Sequence, residues 1–154
     1  LFAERDFRIN DKNGETIVIA TSRWLYMDIN RRRPVRITPE IMDRYESEPE
    51  TRVFTEKVNR IDPPDTGYIE IPYNILRRDV DYLGHMHNIS YLDAAYDVMP
   101  EEYFNGPQFN FVSIEYRKEL LRNDEVKAHF YKIDKGCIIS LNTDKINAVI
   151  MLKY

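Results

Sequence analysis

The sequence lacks the features that mark several classes of protein. Its 154 residues include one cysteine, Cys137, which excludes an internal disulfide bond and a metal site built from several cysteines. The longest apolar runs, such as residues 148–152, are far shorter than the roughly 20 residues of a membrane-spanning helix. Only five glycines are present, and they form no phosphate-binding loop. We therefore expect no metal, no cofactor and no membrane partner.

Basic charge is not in excess either. The chain has 22 Lys and Arg residues against 26 Asp and Glu residues, a formal charge of −4. Nucleic-acid binding generally needs a basic surface, so we expect no nucleic-acid partner. No basic segment followed by an apolar one opens the sequence, and the expected location is the cytoplasm. The first residue is Leu1 and strand-like alternation begins at once, so we expect further residues upstream.

The first third of the sequence predicts a hairpin and a short helix. Strand-like runs flank a turn signal at residues 11–14 and extend to about residue 26. Thr38 followed by Pro39 is typical of a helix start, so a helix is expected over about residues 39–46. Residues 46–65 are polar and proline-containing, which indicates a linker with a short strand around Val53. Two strands alone do not form a stable sheet, so the hairpin needs another partner.

The rest of the sequence predicts an α+β domain. A strand-like stretch over residues 67–78 and a loop over residues 79–87 precede a helix over residues 90–99. The apolar positions at helical spacing are Leu92, Ala95, Tyr96 and Met99. Four strands follow, over residues 109–121, 126–133, 137–141 and 146–152. Strands joined by tight turns form an antiparallel sheet, and the helix must pack against it.

The loop before this helix carries the strongest candidates for chemistry. Asp81, His85 and His87 precede a helix N-terminus, where free backbone N–H groups and the helix dipole favour developing negative charge. An oxyanion could be stabilised there. The alternative is that His85 and Asn88 only cap the helix and that Asp79 and Asp81 are solvated loop carboxylates.

Five segments together resemble a known family. They are residues 5–7 with 17–24, residues 32–37, residues 79–88 with Tyr91, and residues 114–119. In order and spacing they are similar to the acyl-acyl carrier protein thioesterases of plant plastids and bacteria, which consist of two tandem hotdog domains. The resemblance implies a hotdog fold, an antiparallel sheet around a central helix. It divides the chain into the C-terminal part of a first hotdog domain (1–46), a linker (47–66) and a second hotdog domain with the catalytic residues (67–154).

The resemblance also implies a reaction, hydrolysis of the thioester between a fatty acyl chain and the phosphopantetheine arm of acyl carrier protein. The family's proposed catalytic group is Asp, Asn, His and Glu, and these positions hold Asp81, Leu83, His85 and Glu119. Because Leu83 cannot hydrogen-bond a carbonyl oxygen, either His87 or Asn88 substitutes for the absent Asn or the activity is weak or altered. The next position after the Glu, a cysteine in some members, is Leu120, which excludes a cysteine nucleophile there.

Physical chemistry supports attack by water. Neutral His85 or ionised Glu119 could be the base at pH 7, while Asp81 orients a partner. Strict alternation places Glu119 on the same side as Glu115 and Arg117, so both carboxylates are expected toward the interior, with Glu115 in a supporting role. The alternative is a surface ladder of charges.

A basic cluster stands in the first third of this acidic chain. Its members are Arg31, Arg32, Arg33 and Arg36. We expect it to bind the acidic acyl carrier protein, although such a run can also be a solvated face. A homodimer stays open.

Two other functions stay open beside acyl carrier protein thioesterase. One is a hotdog thioesterase for acyl-coenzyme A, which the long linker and the N-terminal hairpin disfavour. The other is a non-catalytic module that binds an acyl group or a carrier protein, for which Leu83 in the Asn position is the main motivation.

Overall fold

A computed structural model describes residues 2–31 and 33–154 of the chain. The chain divides into two compact units, of which the first ends at Val58 and the second covers Asn59–Tyr154. The boundary falls inside the predicted linker, and the last residues of that linker, from Asn59, belong to the second unit. In the described part of the chain, no helix is both long enough and apolar enough to cross a membrane.

The first unit contains the predicted hairpin. Strand β1 (Phe2–Asn10) pairs antiparallel with β2 (Thr16–Leu25). The turn forms because the Asp11 carboxylate accepts hydrogen bonds from the backbone N–H groups of Asn13 (2.8 Å) and Glu15 (2.9 Å). The hairpin prediction is confirmed.

The rest of the first unit has little regular structure. Strands β3 (Met27–Asp28) and β4 (Arg33–Pro34) form a short pair, and helix α1 (Pro39–Arg44) starts where Thr38 and Pro39 predict it but buries none of its residues. The strand expected around Val53 is wrong. The backbone N–H groups of Val53 and Phe54 donate instead to the Asp6 carboxylate, at 3.0 and 3.1 Å, so they are not available to a strand partner.

The second unit is built on a five-stranded antiparallel sheet. Its strands are β5 (Tyr68–Tyr73), β6 (Phe111–Tyr116), β7 (Val126–Ile133), β8 (Gly136–Asn142) and β9 (Ile146–Lys153). They lie in the order β5-β7-β8-β9-β6, so β8 is central and is buried along its whole length. Gly136 starts β8 at a point where a Cβ atom would lie 2.0 Å from the Leu152 carbonyl oxygen, so the tight turn into β8 has no room for a side chain.

Helix α2 (Ser90–Asp97) covers one face of this sheet. Its buried apolar residues, continuing past its last turn, are Tyr91, Ala94, Ala95, Val98 and Met99. The predicted stripe is therefore partly wrong, since Tyr96 is 37% exposed and Leu92 is only half-buried. Both sets of residues have helical spacing, and only the position of the sheet selects between them. A helix packed on an antiparallel sheet is the predicted α+β hotdog arrangement, which is confirmed.

Helix α2 ends three residues before Pro100, and a further helical turn follows that was not predicted from the sequence. Helix α3 (Glu101–Phe104) follows directly, and the Tyr103 ring contacts Phe130 of the sheet with ring centres 5.0 Å apart. The opposite face of the sheet carries a smaller apolar cluster formed by Tyr131, Ile138 and Val149 with Ile61, which precedes β5. Residues just before β5 thus pack on the sheet.

Candidate active site

Asp79 shapes the loop between β5 and α2. Its buried carboxylate accepts a hydrogen bond from the Leu76 N–H group (2.7 Å), which closes the 3-10 turn Arg77–Asp79, and its carbonyl oxygen accepts one from the His87 N–H group (2.7 Å). The alternative view of Asp79 as a solvated carboxylate is wrong. Its role is to fold the loop, because a buried carboxylate needs such donors.

Asp81 forms a second tight turn in the same loop. Its Oδ1 atom accepts hydrogen bonds from the N–H groups of Leu83 (2.8 Å) and His85 (3.1 Å), and its own N–H group donates to the His85 carbonyl oxygen (2.8 Å). Gly84 has the positive φ of +81° that the turn requires. Asp81 therefore orients His85 through the backbone. Leu83, at the position where the resemblance implies Asn, is 61% exposed.

The side chains of His85 and Glu119 lie next to each other. The distance from His85 Nε2 to Glu119 Oε2 is 3.7 Å, and the two side chains are 37% and 60% exposed. Backbone contacts fix this approach, because His85 and Leu121 form an isolated antiparallel bridge and the Met86 N–H group donates to the Leu120 carbonyl oxygen (2.8 Å). The loop before α2 and the segment after β6 thus place an imidazole and a carboxylate together in contact with solvent.

Glu119 reaches His85 because the alternation of β6 stops. Ladder pairing ends at Tyr116, and the N–H groups of Arg117 and Lys118 both donate to the carbonyl oxygen of Asn147, at 2.8 and 3.0 Å. Two successive N–H groups that share one carbonyl form a bulge-like irregularity. Side chains after it lie on the opposite face of the sheet from the one that regular alternation predicts. The prediction of strict alternation is wrong at this point.

Glu115 consequently lies away from His85. Its Oε1 atom pairs with Arg117 Nε (3.0 Å), and its Oε2 atom accepts a hydrogen bond from the Ile61 N–H group (2.9 Å). Arg117 also donates to the Ile61 carbonyl oxygen and pairs with Asp62 at 3.2 Å. Glu115 thus joins a charge cluster that holds the segment before β5, and these contacts do not support the predicted role in chemistry.

A cavity of about 420 Å³ lies between these elements. Its lining residues are Asp81, His85, Met86, His87, Asn88, Tyr91, Tyr116, Arg117, Lys118 and Glu119. All three predicted catalytic residues line it, as do both residues suggested as substitutes for the absent Asn. The cavity combines a base, carboxylates and the start of a helix.

His87 and Asn88 connect this cavity to the helix. His87 Nδ1 accepts a hydrogen bond from the Ile89 N–H group (3.3 Å) just before α2, and neither His85 nor Asn88 makes a side-chain cap at the helix start. A neutral His87 then carries its proton on Nε2, as a donor. The Asn88 carbonyl oxygen accepts a hydrogen bond from the Tyr116 hydroxyl group (3.0 Å), which ties the loop to the end of β6.

Three supporting residues were not identified as functional from the sequence. The buried Tyr91 hydroxyl group accepts a hydrogen bond from the Leu120 N–H group (3.3 Å), and its ring lies edge-on to that of Tyr116, 5.0 Å between centres. Loss of hydration raises the pKa of both tyrosines, so both hydroxyl groups stay protonated at neutral pH. The third residue is Asn147, whose polar side chain inside the apolar run 146–152 is the signal that could have identified it.

The predicted basic cluster belongs to the first unit. Arg31, Arg33 and Arg36 are exposed, and Arg31 lies 3.8 Å from the Asp28 carboxylate. Arg32 lies outside the described residues. Over residues 2–31 and 33–154, no group of three or more His, Cys, Asp or Glu side chains is arranged to hold a metal ion.

Two family descriptions match this chain. "Acyl-ACP thioesterase N-terminal domain" matches residues 1–45, and "Acyl-ACP thioesterase C-terminal domain" matches residues 64–152, where ACP denotes acyl carrier protein. The second match contains the whole cavity lining. It therefore includes the residues that the geometry brings together.

Similar proteins carry related names. Oleoyl-acyl carrier protein thioesterase 2 of Arabidopsis thaliana is 30% identical over 132 residues, which are 79% of this chain and 36% of that protein. A solved structure from Lactobacillus plantarum, provisionally named oleoyl thioesterase, is 26% identical with a TM-score of 0.77, covering 99% of this chain and 62% of that one. The 12:0-ACP thioesterase of Umbellularia californica is 17% identical with a TM-score of 0.79, again over 99% of this chain and 62% of its own, and shows the shared fold.

The lengths of the relatives set the extent of the comparison. The chain spans about 36% of the length of curated relatives that it matches. Within that span, the family match and the fold agree. The chain belongs to the acyl-ACP thioesterase family.

Proposed function

We propose that this chain hydrolyses the thioester of fatty acyl-ACP, releasing free fatty acid and the carrier protein. The observation that supports this most is the His85–Glu119 pair at 3.7 Å beside a cavity, in a chain of the acyl-ACP thioesterase family. Relatives bear the names oleoyl- and palmitoyl-acyl carrier protein thioesterase, which indicates the same class of substrate.

The chemistry needs a base and donors for an oxyanion. In the proposed reaction, the pair of His85 and Glu119 takes a proton from water, whose oxygen attacks the thioester carbon. The C–S bond then breaks, and the proton passes to the sulfur of the leaving phosphopantetheine thiol. The Nε2–H group of His87 is the proposed donor to the oxyanion, because the Ile89 and Ser90 N–H groups at the start of α2 already donate to His87. Asp81 keeps His85 in place through its backbone contact.

The apolar side chain of Leu83 should lower the rate of the proposed hydrolysis. An apolar side chain in the Asn position gives the substrate carbonyl one donor fewer, so we propose a slower enzyme than relatives that carry Asn there. Because Leu83 is exposed, nothing in the fold requires an apolar residue at this position.

One experiment separates the three functions. The purified chain is incubated with acyl-ACP or with acyl-coenzyme A of matched chain length, and released fatty acid is measured. We expect turnover of acyl-ACP, and its loss in His85→Ala but not in His129→Ala, since His129 pairs with Glu70 in the sheet at 3.1 Å. Turnover of acyl-coenzyme A alone would favour the second function. Binding of acyl-ACP without turnover of either substrate would favour the non-catalytic module.

The carrier protein is the proposed partner of the basic cluster. Replacing Arg31, Arg33 and Arg36 by Glu should lower kcat/KM for acyl-ACP at low salt and leave kcat unchanged, because charge steers the encounter and not the chemical step. The effect should shrink near physiological ionic strength, where salt largely screens the interaction between exposed charges more than about 8 Å apart. Arg44→Glu, an exposed reversal on α1, is the matched control. An unchanged kcat/KM at low salt would assign the cluster to a solvated face.

Two further proposals concern the assembly and the location. A homodimer would be detected by light scattering coupled to size-exclusion chromatography of the chain. A cytoplasmic location, proposed on the single cysteine, would be tested by fractionation of the source cells.

A further inference from the structure

Asn147 is a fully buried polar residue in the apolar strand β9. Its side-chain Nδ2 atom donates to the Glu119 carbonyl oxygen (3.3 Å), and its Oδ1 atom accepts hydrogen bonds from the N–H and hydroxyl groups of Thr143 (both 2.9 Å). Its main-chain carbonyl oxygen accepts the two N–H groups that create the irregularity after β6. One residue thus contacts three successive positions, 117 to 119.

Leu120, the residue after Glu119, is fixed by contacts with other elements. The Leu120 N–H group donates to the Tyr91 hydroxyl group (3.3 Å), its carbonyl oxygen accepts from the Met86 N–H group (2.8 Å), and its side chain is fully buried. The Glu119 backbone is therefore fixed on both sides. Asn147 holds residues 117–119, and the contacts of Leu120 hold the residue that follows. The Glu119 side chain itself is 60% exposed and has no packing of comparable extent to fix it.

We infer that Asn147 is a positioning residue for Glu119, which directs the carboxylate toward His85. Without the amide contact, the carbonyl group of Glu119 is released, while the main-chain carbonyl of Asn147 still accepts the N–H groups of residues 117 and 118. The backbone at Glu119 can then rotate and turn the carboxylate away from His85. The inference deepens the proposed thioesterase function and rests on it for its kinetic consequence. Its structural consequence stands independently.

Asn142 offers a matched control. It is also a buried amide, 8% exposed, and its Nδ2 atom makes three hydrogen bonds, to the carbonyl oxygens of Lys127 and Ser140 and to the Ser140 hydroxyl group. The two asparagines lie at opposite ends of the β8–β9 turn. Asn142→Leu and Asn147→Leu therefore remove the same number of side-chain hydrogen bonds, but only the second removes one that leads to Glu119.

The kinetic test compares the two variants alone and combined with Glu119→Gln, over a range of acyl-ACP concentrations that gives kcat and KM. Asn147→Leu should lower kcat by about 10- to 100-fold with little change in KM, as a misplaced reacting group does. Asn142→Leu should stay within about twofold of the wild type. In the Glu119→Gln background, Asn147→Leu should cause no further loss, because coupled residues are not additive. An equal fall in both asparagine variants, or an equal fall with and without Glu119, would overturn the inference.

Amide hydrogen exchange tests the same inference without a substrate. Exchange at the Leu120 N–H group should become about tenfold faster in Asn147→Leu and stay unchanged in Asn142→Leu. Thr143→Val, which removes the hydroxyl contacts to Asn147 and to the Asp144 carboxylate but keeps the Asn147 amide, should give a smaller increase and serves if Asn147→Leu does not fold. Unchanged exchange in the folded variants would overturn the inference. If the wild type hydrolyses no acyl-ACP, the proposed function fails, and the exchange data still decide the role of Asn147.

Discussion

Replacing Glu119 by Gln should separate catalysis from stability. The variant keeps the shape of the side chain and removes its charge. Because the partners His85 and Glu119 are 37% and 60% exposed, solvent screens their interaction, and the free energy of unfolding should fall by roughly 0 to 1 kcal/mol. Thermal or chemical unfolding of the two proteins side by side measures this difference.

The same change should strongly reduce turnover. Loss of a general base typically lowers the rate by about 10² to 10⁴. At about 1.36 kcal/mol per factor of ten, this corresponds to an activation barrier raised by roughly 2.7 to 5.4 kcal/mol. The predicted effect on the barrier therefore exceeds the predicted effect on stability several-fold. Fatty acid release from saturating acyl-ACP gives the rate.

Glu115→Gln is the matched control, four residues earlier in the chain. Glu115 pairs with Arg117 and accepts the Ile61 N–H group, so removing its charge should lower the free energy of unfolding by about 1 to 3 kcal/mol. Its rate should stay close to that of the wild type. Glu119→Gln should therefore lower the rate with little effect on stability, whereas Glu115→Gln should lower stability with little effect on the rate. A wild-type rate in Glu119→Gln, or an equal loss of rate in Glu115→Gln, would refute the assignment.

Three further predictions follow from the geometry. Leu83→Asn should raise kcat by about 10-fold or more, since one missing oxyanion donor costs an enzyme about 10² to 10³ in rate, and an unchanged rate would show that another group already fills this role. Leu120→Ala should lower the free energy of unfolding by about 2 to 5 kcal/mol, because Leu120 is fully buried. Leu92→Ala should lower it by less, because Leu92 is only half-buried on α2. Equal losses, measured by chemical denaturation, would contradict the observed helix face. Burial raises the pKa of the Cys137 thiol to about 12, whereas the pKa of a free thiol is about 8.5. Between these two pH values the unfolded state loses the thiol proton and the folded state keeps it. The free energy of unfolding should therefore fall as the pH rises through this range. Denaturation at pH 8 and pH 10 should show a shallower decrease in Cys137→Ala, and an equal decrease in both proteins would contradict this.

The sequence was sufficient for much of the fold. The alternation and turns over residues 126–152 predicted three central strands, which match β7, β8 and β9 closely. Local rules apply well there because the strands are regular and joined by short turns. The position of helix α2 was also predicted, but not its buried face, because Leu92 and Tyr91 start two equally good apolar stripes. Tertiary packing alone distinguishes them.

The candidate site was predictable only in part. The loop with Asp81 and His85, and its approach to Glu119, followed from the resemblance to the family. The separation of Glu115 from Glu119 did not, because alternation assumes an uninterrupted strand and the irregularity after Tyr116 depends on a carbonyl group from β9. Asn147 acts through a contact 28 residues away in sequence, which no local pattern encodes.

The two glycines at tight turns of the second unit differ in what they permit. At Gly136 any side chain would collide with the Leu152 carbonyl oxygen, so variation there would separate the central strands. At Gly84, beside His85, a Cβ atom would meet nothing within 4 Å, and only the positive φ opposes substitution, at a cost of about 1 kcal/mol. Residues that tolerate positive φ, such as Asn, are therefore admissible in the loop that carries the chemistry. Mutagenic libraries aimed at new thioester substrates can therefore vary Gly84 among residues that tolerate positive φ, while Gly136 in the sheet turn must be left intact.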